Sequence, residues 1–222
     1  ANDNVNLKLY KGEIHALLGE NGAGKSTLMN ILTGIYKPTY GKIFYNGKRV
    51  YFKSPGQAVE LGIGMVHQHF RLIPTLTVAE NIVLSSKNNQ FVIDMKEMNE
   101  KIRKCSEEFG LQVTPEAKVW QLSVGEQQRV EIVKLLYHGT EIMILDEPSA
   151  VLTPEESIHM FTTLRKMAEH GKTVVFITHK MNEVMMHADR ITVLRNGTSI
   201  ATMKKEEPTK QELTSMMMGQ GE

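Results

Sequence analysis

Nine consecutive residues, Gly19, Glu20, Asn21, Gly22, Ala23, Gly24, Lys25, Ser26 and Thr27, hold the densest chemistry in the chain. They fit the phosphate-loop pattern GxxxxGK[ST], which has meaning only between a strand and a helix. That context is present: Glu13 to Leu18 is apolar enough for a buried strand, and Leu28, Ile31 and Leu32 follow at helical spacing. Glycines let the backbone curl until successive N–H groups point at phosphate oxygens. The helix N-terminus adds a dipole that favours negative charge. Lys25 can then reach the β- and γ-phosphates of a nucleotide, and the Ser26 hydroxyl can ligate Mg²⁺. A glycine-rich turn that fits the pattern by accident would lack these flanking elements.

Ile142, Met143, Ile144 and Leu145 run directly into Asp146 and Glu147. Four apolar residues ending in two carboxylates describe a buried strand that delivers acids to its C-terminal edge, where open α/β sheets bind ligands. Asp146 suits the shell of Mg²⁺, and Glu147 suits a general base or the positioning of attacking water. Alone, such a stretch could equally be a strand followed by a solvated acidic turn. His67 and His69 flank Gln68 at alternate positions, but no nearby cysteine or carboxylate completes a metal-ligand set.

The elements that must hold these groups alternate between strand and helix. Ile43 to Tyr45, an Asn46-Gly47 turn and Val50 to Phe52 read as a hairpin. Ser54 and Pro55 start a short helix, and Ile63 to His67 is a strand. Residues 77–137 change character: Thr77 with Glu80 and Ser123 with Glu126 have capping-box spacing, around a charged amphipathic stretch from Met95 to Phe109. This reads as a helical insert. Strands at Glu141 to Leu145, Thr173 to Thr178 and Arg190 to Leu194 then alternate with helices starting at Thr153, Asn182 and Thr209. The pattern predicts an α/β fold with a largely parallel sheet and helices on both faces.

Composition narrows the function classes. The chain has 222 residues, 41% hydrophobic and 23% charged, enough for one good core. A net charge of +1 offers no overall basic field for nucleic acid. A single cysteine, Cys105, excludes an internal disulfide and fits a reducing compartment. The longest apolar runs, such as Ile142 to Leu145, fall far short of the roughly 20 residues a membrane helix needs. No leader pattern opens the chain, so any membrane role is expected to run through a partner. The sequon Asn196-Gly197-Thr198 reads as a hairpin turn, and Met216 to Met218 as core filler or a helix face. Trp120 is expected to pack at the base of the helix that follows it.

Leu122, Ser123, Val124, Gly125, Glu126, Gln127 and Gln128 resemble the LSGGQ signature of ATP-binding cassette (ABC) proteins, placed just before the acidic strand. Gln68 fits that family's Q-loop and His179 its switch histidine. Val124-Gly125-Glu126, the residues around Gln68, and Ala150 to Pro154 are most similar to sugar and nucleoside importers, in particular to the first cassette of a tandem ATPase. The resemblance spans essentially residues 1–222 as one domain. It implies a P-loop NTPase (RecA-like) core with an antiparallel β subdomain and an inserted α-helical subdomain. It further implies an ATP- and Mg²⁺-dependent hydrolase, with Gln68 joining Ser26 and Asp146 at the metal, and His179 bonding the γ-phosphate. Ser123 and Gly125 would complete the site of a second cassette, while Glu126, acidic beside phosphate, is expected to turn aside.

The partners so implied are transmembrane permease subunits, the second cassette and, indirectly, a solute-binding protein, at the cytoplasmic face of the membrane. Where the family usually carries SALD after the acidic strand, Ser149 to Thr153 supply no aspartate. No aromatic precedes Tyr10, so the adenine-stacking residue of the family is expected upstream of Ala1. A rival ABC protein acting on nucleic acid should carry a basic stripe or a long basic insert, which a chain of net charge +1 is not expected to show, and a degenerate regulatory half should lack Glu147, Gln68 or His179, all of which are present.

Overall fold

The computed structural model describes residues 2–84 and 94–219. Its strand-forming runs become β1 (Ile14–Leu18), β4 (Ile63–Val66), β5 (Ile142–Asp146), β6 (Thr173–Thr178), β7 (Arg190–Arg195) and β8 (Thr198–Lys204). They form one sheet in the order β4-β5-β6-β1-β7-β8, parallel throughout except for β8 against β7. A separate antiparallel ribbon joins β2 (Ile43–Tyr45) and β3 (Lys48–Val50).

Side chains alternate across the sheet and build two apolar layers. Ile14, Ala16, Leu18, Val174 and Phe176 enter one layer; Leu17, Ile144, Val175 and Ile177 enter the other. The second layer is closed by α1 (Lys25–Leu32), α2 (Pro55–Glu60) and the inward residues of the ribbon. The first is closed by α3 (Val78–Leu84), α4 (Met95–Glu108), α5 (Val124–Tyr137), α6 (Pro154–Glu169), α7 (Met181–His187) and α8 (Lys210–Met218). Helices thus cover both faces of a largely parallel sheet, the architecture expected. Within the first layer Phe161 and Phe176 meet edge to face, with ring centroids 5.3 Å apart.

The helix starts follow their capping residues. Thr77 N–H donates to Glu80 Oε2 at 2.6 Å and Glu80 N–H to Thr77 Oγ1 at 3.1 Å. Thr153 with Glu156 and Thr209 with Glu212 form the same reciprocal box. The helical insert expected over residues 77–137 is described as α3, α4 and α5 with their connections; residues 85–93 of it lie outside the described residues.

Three details differ from the expectation. The second hairpin strand begins at Lys48, because Asn46 (φ 48°) and Gly47 (φ 74°) form a two-residue turn with both centres left-handed. The Asn196-Gly197 hairpin turn is present, with φ 51° and 80°, but the strand it leads into, β8, has no strand reading of its own: its half-exposed alternation is the mark of a solvent-facing edge strand, weaker in sequence than the buried runs. Trp120 is 66% exposed and does not pack at the base of α5. In α8, Met217 is buried and Met218 is exposed, which makes the methionines a helix face.

For function, the key feature is register. Leu18 pairs with Thr178 across β1 and β6, and Asp146 pairs with Ile177 across β5 and β6. Three adjacent strands therefore end at one level, and the residues that follow them emerge side by side.

His15 on β1 is fully buried, with Nε2 2.8 Å from Thr192 Oγ1. Burial, helped by the nearby Arg190 charge, holds its pKa down at about 4, well below the ordinary 6.5. The fold thus favours the neutral ring, so stability is full above pH 6.5 and is lost as pH falls toward 4. That loss approaches about 3 kcal/mol. Urea unfolding between pH 7 and pH 4 is expected to show this slope. His15→Gln, which cannot protonate, should flatten it; an unchanged slope would remove His15 as its source.

Candidate functional site

The loop after β1 is shaped by glycines that cannot be replaced for concrete reasons. A Cβ on Gly19 would stand 2.5 Å from the Leu194 carbonyl oxygen. Gly22 and Gly24 are left-handed, at φ 84° and 99°. The amides of Gly22, Gly24 and Lys25 bond no other described residue, and Gly24 is the N-cap of α1. A curved row of unpaired N–H groups at a helix start is what an anionic phosphate requires.

Lys25 is 7% exposed and donates to the carbonyls of Gly19 (2.7 Å) and Glu20 (2.9 Å). Burial pulls its pKa down, while Glu147, Asp146 and Glu20 oppose that pull. The ammonium is therefore held at the mouth of the loop, facing the two acids of β5. Two elements brace the loop from outside. Gly197 N–H, in the β7–β8 turn, donates to the Ala23 carbonyl at 3.0 Å, and Asp3 N–H donates to the Gly197 carbonyl at 2.8 Å. The Asn2 amide, oriented as its neighbours demand, donates to the Gly24 carbonyl and accepts from Leu28 N–H. Neither Asn2 nor Gly197 carries a sequence signal for this task, since Asn2 acts through its side-chain amide and Gly197 through its backbone, each on residues distant in sequence.

Asp146 ends β5 half-buried. Burial pushes its carboxyl above the ordinary range, the neighbouring Glu147 charge adds to this, and Lys25 and a hydrogen bond from Ser26 oppose it. Among the described residues no group of three or more His, Cys, Asp and Glu side chains converges on a metal position. Ser26 and Asp146 instead offer two oxygen donors beside the loop, which suits a hard divalent cation shared with phosphates.

Glu147 has a left-handed backbone, φ 47°, without being glycine. Such a conformation costs of order 1–3 kcal/mol and persists where the surroundings impose it. Here its N–H donates to the Ile177 carbonyl at 2.9 Å, extending the β5–β6 ladder by one bond. Its Oε1 lies 2.8 Å from His179 Nδ1. Against an ionised carboxylate, that contact requires the proton on Nδ1. The sequence assigned Glu147 and His179 separate tasks; the structure joins them as a pair.

A second network ties the loops beyond them. Lys180 Nζ donates to Ser149 Oγ at 2.9 Å, Ser149 donates to Glu183, and Thr178 Oγ1 donates to Glu183 Oε2 at 3.3 Å. Gln128 of α5, 4% exposed, donates to the Pro148 carbonyl at 2.7 Å. The last helix of the helical insert is thereby bonded to the residue next to Glu147. Gln128 and Ser149 stand in stretches the sequence marks as motifs, but these contacts, and the parts of Lys180 and Glu183, are not readable there because polar side chains at helix and loop positions have no local pattern.

Gln68 lies two residues beyond β4, the strand beside β5; its side chain is exposed and bonds no other described residue. Ser123 is exposed at the start of α5, with its hydroxyl accepting Glu126 N–H at 3.3 Å. Glu126 turns back to accept Ser123 N–H at 2.7 Å, and that bond draws its pKa down. Gly125 is buried, and a Cβ there would meet Glu156 Oε1 at 2.5 Å. Thr153, standing where the resemblance looks for aspartate, caps α6.

Residues 2–150 match the family described as ABC transporter. Over 220 residues, 99% of this chain, the sequence is 51% identical to the nucleoside import ATP-binding protein NupA of Lactococcus lactis subsp. cremoris. Over 220 residues, it is also 51% identical to the guanosine import ATP-binding protein NupO of Bacillus subtilis. It spans under half of those relatives, 44% and 43% of their lengths. Among solved structures, a nucleotide-free ATP-binding cassette from an ABC transporter superposes with a TM-score of 0.85 at 28% identity, covering 96% of this chain and 88% of that one. The dimeric cassette MJ0796 gives 0.78 at 30% identity, covering 92% and 90%.

The loop geometry predicts that Lys25→Ala weakens binding of a fluorescent ATP analogue by about 10- to 100-fold, the loss of charge-assisted bonds to phosphate. Unchanged affinity in equilibrium titration would contradict the phosphate assignment of the loop.

Proposed function

This chain belongs to the ABC transporter family, and from that premise we propose that it is the ATP-binding and ATP-hydrolysing cassette of an importer for nucleosides or simple sugars. The observation that carries the reading is the common level at which β1, β5 and β6 end. It gathers the Lys25 ammonium, the Asp146 carboxylate and the Glu147–His179 pair at one sheet edge. Relatives named for nucleoside, guanosine, glucose and ribose import support the substrate class.

In this reading residues 1–222 act as one catalytic domain. The amides of residues 19–27 and the Lys25 ammonium bind the triphosphate. Ser26, Asp146 and Gln68 would hold Mg²⁺, which would supply positive charge against that developing on the phosphates. Glu147 takes a proton from the attacking water, and His179 keeps its carboxylate in place through Nδ1. Ser123 and Gly125 present the start of α5 to the nucleotide of a second cassette, with Glu126 folded away into its capping box. Among the described residues no helix is long and apolar enough to cross a membrane. We therefore assign membrane passage to permease subunits, with solute delivered by a binding protein and the cassette seated peripherally on the cytoplasmic side.

The test is single-turnover hydrolysis at high protein concentration. Glu147→Gln should retain ATP and Mg²⁺ binding, and dimerise with ATP, while hydrolysis falls about 10²- to 10⁴-fold. His179→Ala should reduce the rate in the same direction with little change in nucleotide affinity. Turnover equal to the unaltered chain in both variants would overturn the assignment.

A further inference from the structure

The overall charge of +1 hides a sharp segregation. Residues 35–53 contain five cations, Lys37, Lys42, Lys48, Arg49 and Lys53, and not one Asp or Glu. The same 19 residues hold six of the chain's 14 aromatics. Everything outside them carries 21 cations against 25 acids. None of the five cations forms an ion pair with a described residue.

The β2–β3 ribbon sorts this material by face. Ile43, Tyr45 and Val50 point inward and pack on the second apolar layer. Phe44 stands across from Arg49 on the outer face, and the same register carried one residue beyond the ribbon's last pair on each strand places Lys42 across from Tyr51. Cation and aromatic thus alternate both along and across the ribbon. Phe44 is 61% and Tyr51 60% exposed, although each would normally be drawn under cover. A shallow depression between Tyr36, Lys42, Arg49 and Tyr51 lies beside them, and Tyr40 is 92% exposed nearby.

We infer that this outer ribbon face docks on an anionic phospholipid surface. Lysine and arginine are attracted to acidic headgroups, and exposed aromatic rings settle at the interface between headgroup and acyl chain. The acidic remainder of the chain is repelled by the same surface, so the single basic-aromatic face also sets orientation. A single-stranded nucleic acid would need a groove that follows its backbone over several nucleotides; the ribbon offers a patch two residues long on each strand. The inference does not require ATP turnover.

Co-sedimentation with large vesicles of phosphatidylglycerol and phosphatidylcholine tests it. The chain should bind vesicles rich in phosphatidylglycerol and not pure phosphatidylcholine. Lys42→Gln with Arg49→Gln should weaken that binding on the order of 25-fold, about fivefold per cation. Lys96→Gln with Lys104→Gln, on the exposed side of α4, should leave it unchanged. Phe44→Ser with Tyr51→Ser should release the protein at a salt concentration the unaltered chain withstands. Retained ATP-analogue binding shows that each variant is folded. Equal loss in the α4 variant, equal binding to neutral vesicles, no effect of the aromatic variant, or displacement from vesicles by a single-stranded oligonucleotide would overturn the docking assignment.

Discussion

The structure depends on a ladder that stops at one level. β5, β6 and β1 are parallel neighbours whose last residues stand in register, Asp146 by Ile177 and Thr178 by Leu18. Parallel strands bond continuously to the strands beside them, so a shift of one strand would flip its apolar residues out of their layer. The core therefore enforces the register, and the register aligns the chemistry. Glu147 shows the coupling most directly. Its strained backbone is held by a bond to the Ile177 carbonyl, which is the ladder's next rung.

Electrostatics at that edge is a mutual arrangement. Burial lowers the Lys25 pKa and raises that of Asp146, and each charge moderates the shift of the other. The Glu147 charge acts on both, supporting the lysine cation and disfavouring an ionised Asp146. A polyanion with its cation would enter a site already divided into a cationic loop and an acidic strand end. Ser123 and Glu126 illustrate a different economy, in which the box that caps α5 also removes an acid from the surface the helix start presents. Gln128 then bonds that helix to Pro148. A buried hydrogen bond thus ties the insert to the residue beside Glu147. The loss of one such bond typically leaves a desolvated group worth about 1–3 kcal/mol.

Much of this was legible locally. The phosphate loop is read because glycine, lysine and serine act through their immediate neighbours, and the strand ending in Asp146 and Glu147 because burial demands an unbroken apolar run. Capping boxes at Thr77, Ser123, Thr153 and Thr209 declare themselves within four residues. The turn into β8 was legible at Asn196-Gly197, but the strand itself was not, since a half-exposed edge strand leaves only a faint alternation, and neither was the exposure of Trp120, which no neighbouring residue predicts.

By itself the sequence determined the order of the buried strands and the helices, the helix starts, the glycine-rich loop between β1 and α1, the acidic strand end and the family resemblance, because each is written in contiguous residues. Only the tertiary structure decided that His179 grips Glu147 across 32 residues, that Asn2 and Gly197 brace the phosphate loop, that Gln128 reaches Pro148, and that Phe44 and Arg49 share one outward face. Each of these contacts joins residues on different elements or strands. Strand order, register and helix placement are set by the packing of the whole core, and no local pattern encodes them.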